Sequence, residues 1–219
     1  PKKEEILELF NRTSKNQHPR CVLDKSQMDN MLWQIKLPGW KNDYVKDLIK
    51  TADRYVTSPE ILLTKPDGIR LSDIVTIWER TIPLSLAYLH TKDDKYKNRL
   101  WQDMERMGSM SAWNPDHFLD VGGGTFGMAI AYDWLYDYWT DDQREKFETW
   151  IYNNGIAYAL QAEFDEWYYN IVWLSSIAED DVPLGNWAAV CQAGMIIGAL
   201  AVMDKYPDEA AQVIESGLR

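Results

Sequence analysis

The chain has little positive charge. Its 23 Lys and Arg stand against 34 Asp and Glu, giving a formal net charge of −11 and a pI near 4.7. That balance argues against a nucleic-acid binder, which needs a basic face for phosphates, and against an anionic membrane surface as partner. It leaves room for an acidic polysaccharide, because a few Arg or Lys side chains suffice to line a cleft on an acidic body. Cysteine is nearly absent: Cys21 and Cys191 lie 170 residues apart and match no zinc or redox spacing. Cys191 falls in an apolar segment where a small buried thiol is expected, and a disulfide between the two stays open at this stage. Nothing in the spacing calls for a metal or a cofactor.

Also missing is any linker-like tract rich in Pro, Gly or Ser, so residues 1–219 read as one domain, large enough for a single core at 46% apolar content. The opening Pro1-Lys2-Lys3-Glu4-Glu5 has no apolar signal segment. A chain that starts on proline rather than methionine reads as a trimmed mature form, so the missing signal says little about export.

Tryptophan is present in excess: 11 Trp with 12 Tyr and 5 Phe make 13% aromatics. Each Trp has two readings, packing between helices or a platform for the flat C–H face of a pyranose. The most informative stretch is Trp187–Met203, 17 residues without a charged side chain, entered through Asn186-Trp187. Gln192, Gly194 and Gly198 interrupt it and no Lys/Arg asymmetry flanks it, so it reads as a buried helix and not a membrane span.

The pattern is helical nearly throughout. A short amphipathic helix is expected from Lys2 to about Thr13, with Glu4 and Glu5 where the dipole favours them. His18-Pro19-Arg20 leads into a helix from a Ser26 cap to about Lys36, stopped by Pro38-Gly39; another covers about Lys41–Tyr55. Ser72 is expected to cap an apolar helix to about Leu89, followed by a charged helix over Asp94–Met107. Val121–Tyr138 is apolar on almost every side, and Thr140-Asp141-Asp142-Gln143 is a capping box for its amphipathic successor. Asn186–Met203 is again apolar, and Pro207 sits at the first position of the last helix.

Three times an all-apolar helix is followed by a one-faced helix. The first kind belongs to an inner layer and the second outside it. Spacings of about 50 to 65 residues exceed the common helical repeats, so the expected fold is all-α, an incomplete (α/α) toroid of antiparallel helical hairpins in two layers.

A set of segments in order carries a resemblance. Trp113-Asn114-Pro115-Asp116-His117-Phe118-Leu119-Asp120-Val121, Ala129-Ile130-Ala131-Tyr132-Asp133-Trp134-Leu135-Tyr136, Trp139-Thr140-Asp141-Asp142-Gln143-Arg144, His18-Pro19-Arg20 and Gly185-Asn186-Trp187-Ala188-Ala189-Val190-Cys191 together resemble the toroid domain of the heparinase II/III-like polysaccharide lyases. The resemblance implies β-elimination on uronic-acid-containing glycans. That chemistry needs the C5 carboxylate neutralised, a base for the α-proton and an acid for the leaving O4. It implies that Asn186 is the catalytic residue facing the uronate carboxylate, since an amide donates without adding negative charge. It implies that the proton-carrying Tyr and His, and a C-terminal β-rich domain of the same parent chain, lie past Arg219, and that the protein is periplasmic or secreted. Relatives carry an acidic side chain near Gly123, which this chain lacks.

Each candidate has a plainer reading beside it. Asn186 is also a good helix cap, and Trp187, Trp113, His117 and Arg80 are candidate substrate contacts that equally suit packing, local hydrogen bonding or, for Glu79-Arg80, an internal ion pair. His18 and His90 read as structural. Gly122-Gly123-Gly124-Thr125-Phe126-Gly127 lacks the lysine and preceding strand of a phosphate loop, so its glycines are expected to let helices approach closely. Asp165-Glu166-Trp167-Tyr168-Tyr169 and Glu179-Asp180-Asp181 read as solvated acidic turns. The rivals are an (α/α)-barrel glycoside hydrolase, with Asp116, Asp120, Asp165 and Asp181 as available carboxylates, a uronate epimerase, and a non-catalytic carbohydrate-binding helical domain.

Overall fold

Local capping decides most of the helix starts. In the computed structural model, which describes residues 1–164 and 186–218, the first helix α1 spans Lys3–Thr13. The next, α2 (Lys25–Gln34), starts two residues earlier than the Ser26 cap predicts. Asp24 takes the cap: its carboxylate accepts from the Gln27 amide at 2.8 Å, and the Gln27 side chain returns the bond to Asp24 N at 2.9 Å. Ser26 has Asp29 three residues on, not Glu or Gln, and so cannot close the reciprocal pair. Helix α3 (Trp40–Thr57) follows Gly39, whose φ of 129° suits glycine.

The expected Ser72–Leu89 helix is instead two. A single turn α4 (Ser72–Val75) breaks at Thr76, and α5 runs Trp78–Thr91 with Pro83 inside it. Ser72 caps neither. Then come α6 (Asp94–Gly108), a 3₁₀ turn at Pro115–His117, and α7 (Phe118–Trp134), shorter than the expected Val121–Tyr138 because Tyr136–Tyr138 forms a separate turn. Helix α8 (Asp141–Ile151) carries the expected Thr140–Gln143 capping box. A wide π turn at Tyr152–Ile156 leads into α9 (Ala157–Phe164). Helix α10 (Asn186–Val202) and α11 (Pro207–Gly217, proline in its first turn) close the series. Among the described residues there is no strand, and no helix is long and apolar enough to cross a membrane. The acidic segments Asp165–Tyr169 and Glu179–Asp181, and Gly185, lie outside the described residues.

The core is built around α7. All its residues are buried except Leu119 and Phe126, which keep partial exposure. It packs against α4, α5 and α10, while α10 packs against α11 as well, and α11 against α1. Glycine sets the α7–α10 distance. A Cβ on Gly194 would fall 2.2 Å from the Gly122 carbonyl oxygen, and one on Gly123 would fall 2.3 Å from that of Val75. The glycine run therefore lets backbones meet, as expected. Several tryptophans take the packing role. Trp101 and Trp139 close on Phe147 with centroids 5.5 and 5.2 Å away, joining α6, the turn before α8, and α8.

The His18-Pro19-Arg20 segment ties the C-terminal ends of α7 and α10. Buried Asp133 accepts from Arg20 N at 2.9 Å and Cys21 N at 2.8 Å, and pairs with His18 Nδ1 at 2.6 Å. Arg20 donates to the carbonyls of Leu200 and Ala201 at 2.9 Å each, and to Asp204 at 2.7 Å. These are carbonyls the helix end leaves unpaired. Both cysteines are free and buried, so the pairing left open by the sequence does not form.

Candidate functional site

The N-terminal ends of α7 and α10 lie side by side, and a buried polar cluster gathers there. Asn114 adopts a left-handed conformation (φ 55°) that Asn tolerates better than most residues. It turns the chain into Pro115–His117 and then α7. Asp120, in the first turn of α7, is completely buried. It accepts from Leu71 N at 2.8 Å and Asn114 Nδ2 at 2.6 Å, and pairs with His117 Nδ1 at 3.0 Å. The α7 N-terminus favours a negative charge at this place. The same carboxylate acts across to α10: burial first, and then the charge of Asp120, push the Cys191 thiol up to about 12.

A carboxylate is acceptor-only, so the Asp120–His117 contact places a ring proton on Nδ1, and in the neutral imidazole Nε2 then carries the lone pair. The His117 ring meets the Trp187 indole edge-on, with centroids 5.0 Å apart and planes at 74°. Trp187 keeps 41% of its surface exposed, and Asn186 beside it is exposed. An indole and a carboxylate-oriented imidazole thus meet at the helix N-termini, with the exposed Asn186 amide next to the indole in the chain. They offer a donor for an anion, a flat apolar face, and a nitrogen that can accept or, once protonated, give a proton.

No family model and no curated protein matches this chain.

Of the residues singled out from the sequence, Trp187 and His117 come together, and Asn186 stands exposed beside Trp187 at the start of α10. Trp113 does not join them as a contact surface. It is fully buried, its indole N–H donating to the Met107 carbonyl at 3.1 Å, and both ring faces belong to the core. That corrects its reading as a substrate platform. Arg80 is likewise committed elsewhere. It pairs with Asp103 of α6 at 3.5 Å, donates to the Pro59 carbonyl at 3.2 Å, and lies over the Tyr55 ring. Buried Asp103 is shared with Arg99 at 3.0 Å, so the internal ion pair holds, with Asp103 and not Glu79 as partner. Asp103 has its carboxyl raised by burial, against the pull of both arginines. The sequence reading missed the orienting role of Asp120 and Asn114; the signal was the His-x-x-Asp spacing at a helix start, which places both side chains on one side of the first turn. Among the described residues, no group of three His, Cys, Asp or Glu side chains is placed to hold a metal ion.

Proposed function

We propose that this chain is the N-terminal toroid portion of a heparinase II/III-like polysaccharide lyase that cleaves uronic-acid-containing glycans by β-elimination. The alternation of helices supports the architecture. Helices α5, α7 and α10 pack side by side in sequence order, α7 buried nearly throughout and α5 and α10 each keeping an open side, and each is followed by a helix with a wet face. The α5–α6 link is only Lys92-Asp93 and the α10–α11 link only Met203–Tyr206, and packed helices joined so briefly run antiparallel. In the proposed architecture these hairpins curl into an arc.

The observation that carries the function is the exposed Asn186-Trp187 pair beside the Asp120-oriented His117. In the proposed reaction the Asn186 amide donates to the uronate carboxylate, helped by the positive end of α10. Neutralising that charge makes the C5 proton removable. A base takes the proton, its electron pair forms the C4=C5 double bond, the C4–O4 bond breaks, and an acid protonates O4. Trp187 offers its exposed face to the sugar ring, and His117 Nε2 accepts from a hydroxyl. The groups that carry the protons belong to the remainder of the proposed parent, with its C-terminal β-rich domain, in a periplasmic or secreted setting.

Digesting uronic-acid glycans with the full-length protein tests this. A lyase leaves an unsaturated uronate that absorbs in the ultraviolet. A hydrolase releases reducing ends without that absorbance. Buried Asp120, already committed to three partners, is a poor choice for one of the two carboxylates a hydrolase would need.

A further inference from the structure

Among the described residues, the most exposed aromatic rings lie on one face, and that face is not the α7/α10 entrance. Trp40 is 74% exposed, Tyr44 67% and Trp33 60%, and Trp78 is also open. They border three adjoining hollows of about 290, 360 and 460 Å³. The first lies between Trp33 and Trp40 around the Pro38-Gly39 turn. The second, between α2 and α3, has Met31, Val45, Leu48 and Leu86 in its lining. The third, between α3 and α5, reaches Trp78. Neighbouring hollows share Trp40 and then Tyr44, so they form one continuous trough. Along α3 its stripe runs from Trp40 to Tyr55, about 22 Å at the helical rise. None of Asn114, His117, Asp120, Asn186 or Trp187 lines it.

We propose that this trough binds a neutral glycan chain. Flat rings held open to solvent suit the C–H faces of pyranoses. The amides of Gln27, Asn30 and Gln34 edge the rings and at i, i+3 and i+7 share one side of α2. Gln34 donates to Asn30 and accepts from Lys41, and Gln27 accepts from Asp24 N, which leaves the Gln27 and Asn30 amide N–H groups to meet sugar hydroxyls. Charge selects the occupant. Glu79 and Asp47, the latter paired with Lys50 at 2.8 Å, face the trough against one cation among its lining residues, Lys41, and that ammonium already bonds Gln34 and lies over the Trp40 ring. A uronate or sulfated chain would meet the Glu79 carboxylate and no unpaired cation among the lining residues. A second copy of this chain, with net charge −11, would bring the same acidic rim against itself. A neutral sugar has neither conflict.

Affinity electrophoresis of the intact chain, in gels containing glucomannan or hydroxyethyl cellulose and with alginate as the anionic comparison, tests the assignment. Retardation is expected in at least one neutral gel. Trp40→Ala, Tyr44→Ala and Trp78→Ala should each weaken it roughly tenfold or less, the scale of one lost stacked ring, with unchanged circular dichroism. The same variants should leave alginate behaviour as in wild type, whereas Asn186→Ala should leave retardation by the neutral glycan intact. Three results overturn the proposal: no retardation in either neutral gel, retardation that survives all three substitutions, or a sedimenting dimer that Trp40→Ala dissolves.

Discussion

Asp120 shows how one buried side chain organises a site. It satisfies the Leu71 amide, the Asn114 side chain and His117 Nδ1 together, so removing it strands two donors and frees the imidazole. Asp120→Ala should cost about 3 kcal/mol of stability, the penalty for leaving several buried polar groups unpaired, as read from urea denaturation. Asp204 makes a prediction about acid. Burial alone would raise its carboxyl, but hydrogen bonds from His18, Asn16 N and Arg20 outweigh that and hold it well below the ordinary carboxylate range. A lowered folded value stabilises the protein above the unfolded value near 4, and that contribution drains away as pH falls below it towards the folded value. Asp204→Asn should therefore cost roughly 2 kcal/mol at neutral pH, with the gap to wild type narrowing below about pH 4. Denaturation at pH 7 and pH 3 reads both. At this scale the sequence was informative about residue type and poor about exposure. Trp113 and Trp187 look alike as letters, yet one sends its indole N–H to Met107 inside the core and the other stands open beside His117.

At the scale of elements, the glycines of α7 and α10 matter most. Gly194→Ala drives a methyl to 2.2 Å from the Gly122 carbonyl, backbone that cannot swing away, whereas Gly122→Ala meets Cys191 Cα at 3.1 Å. The first should destabilise by about 3 kcal/mol or more and the second by less, about 1 kcal/mol; thermal melts of both variants check the order. Helix identity was legible because period and caps agreed, as with Thr140–Gln143 and Pro207. The misread boundaries have local causes. Asp24 and Ser26 are both capping residues, and only Asp24 has a Gln three positions on to complete the box. The break after Val75 leaves no mark, since Ile74 and Ile77 continue an apolar pattern while α4 turns to meet Gly123 and Asp120. Tertiary contact, not propensity, ends that helix.

Across the whole molecule, polarity distinguishes the two sites proposed for sugars. The entrance formed by α7 and α10 gathers a neutral amide, an indole and an imidazole at helix N-termini, where a carboxylate is welcome. The trough along α3 has open rings edged by amides and carboxylates, where it is not. First and last helices close on each other, with α1 packed on α11 and Lys2 and Lys3 reaching Glu215 and Asp208. These exposed pairs add at most about 1 kcal/mol each; the buried Ile6 and Phe10 hold α1 in place. Asn186 therefore decides the functional account. Isothermal titration of a uronic-acid oligosaccharide into the wild-type chain, Asn186→Ala and Asn186→Asp measures its role directly. The account predicts binding by wild type, a drop of about tenfold or more for Asn186→Ala, the scale of a hydrogen bond to a charged group, and none for Asn186→Asp, which sets a carboxylate against a carboxylate. A silent wild type, or three indistinguishable isotherms, would contradict it.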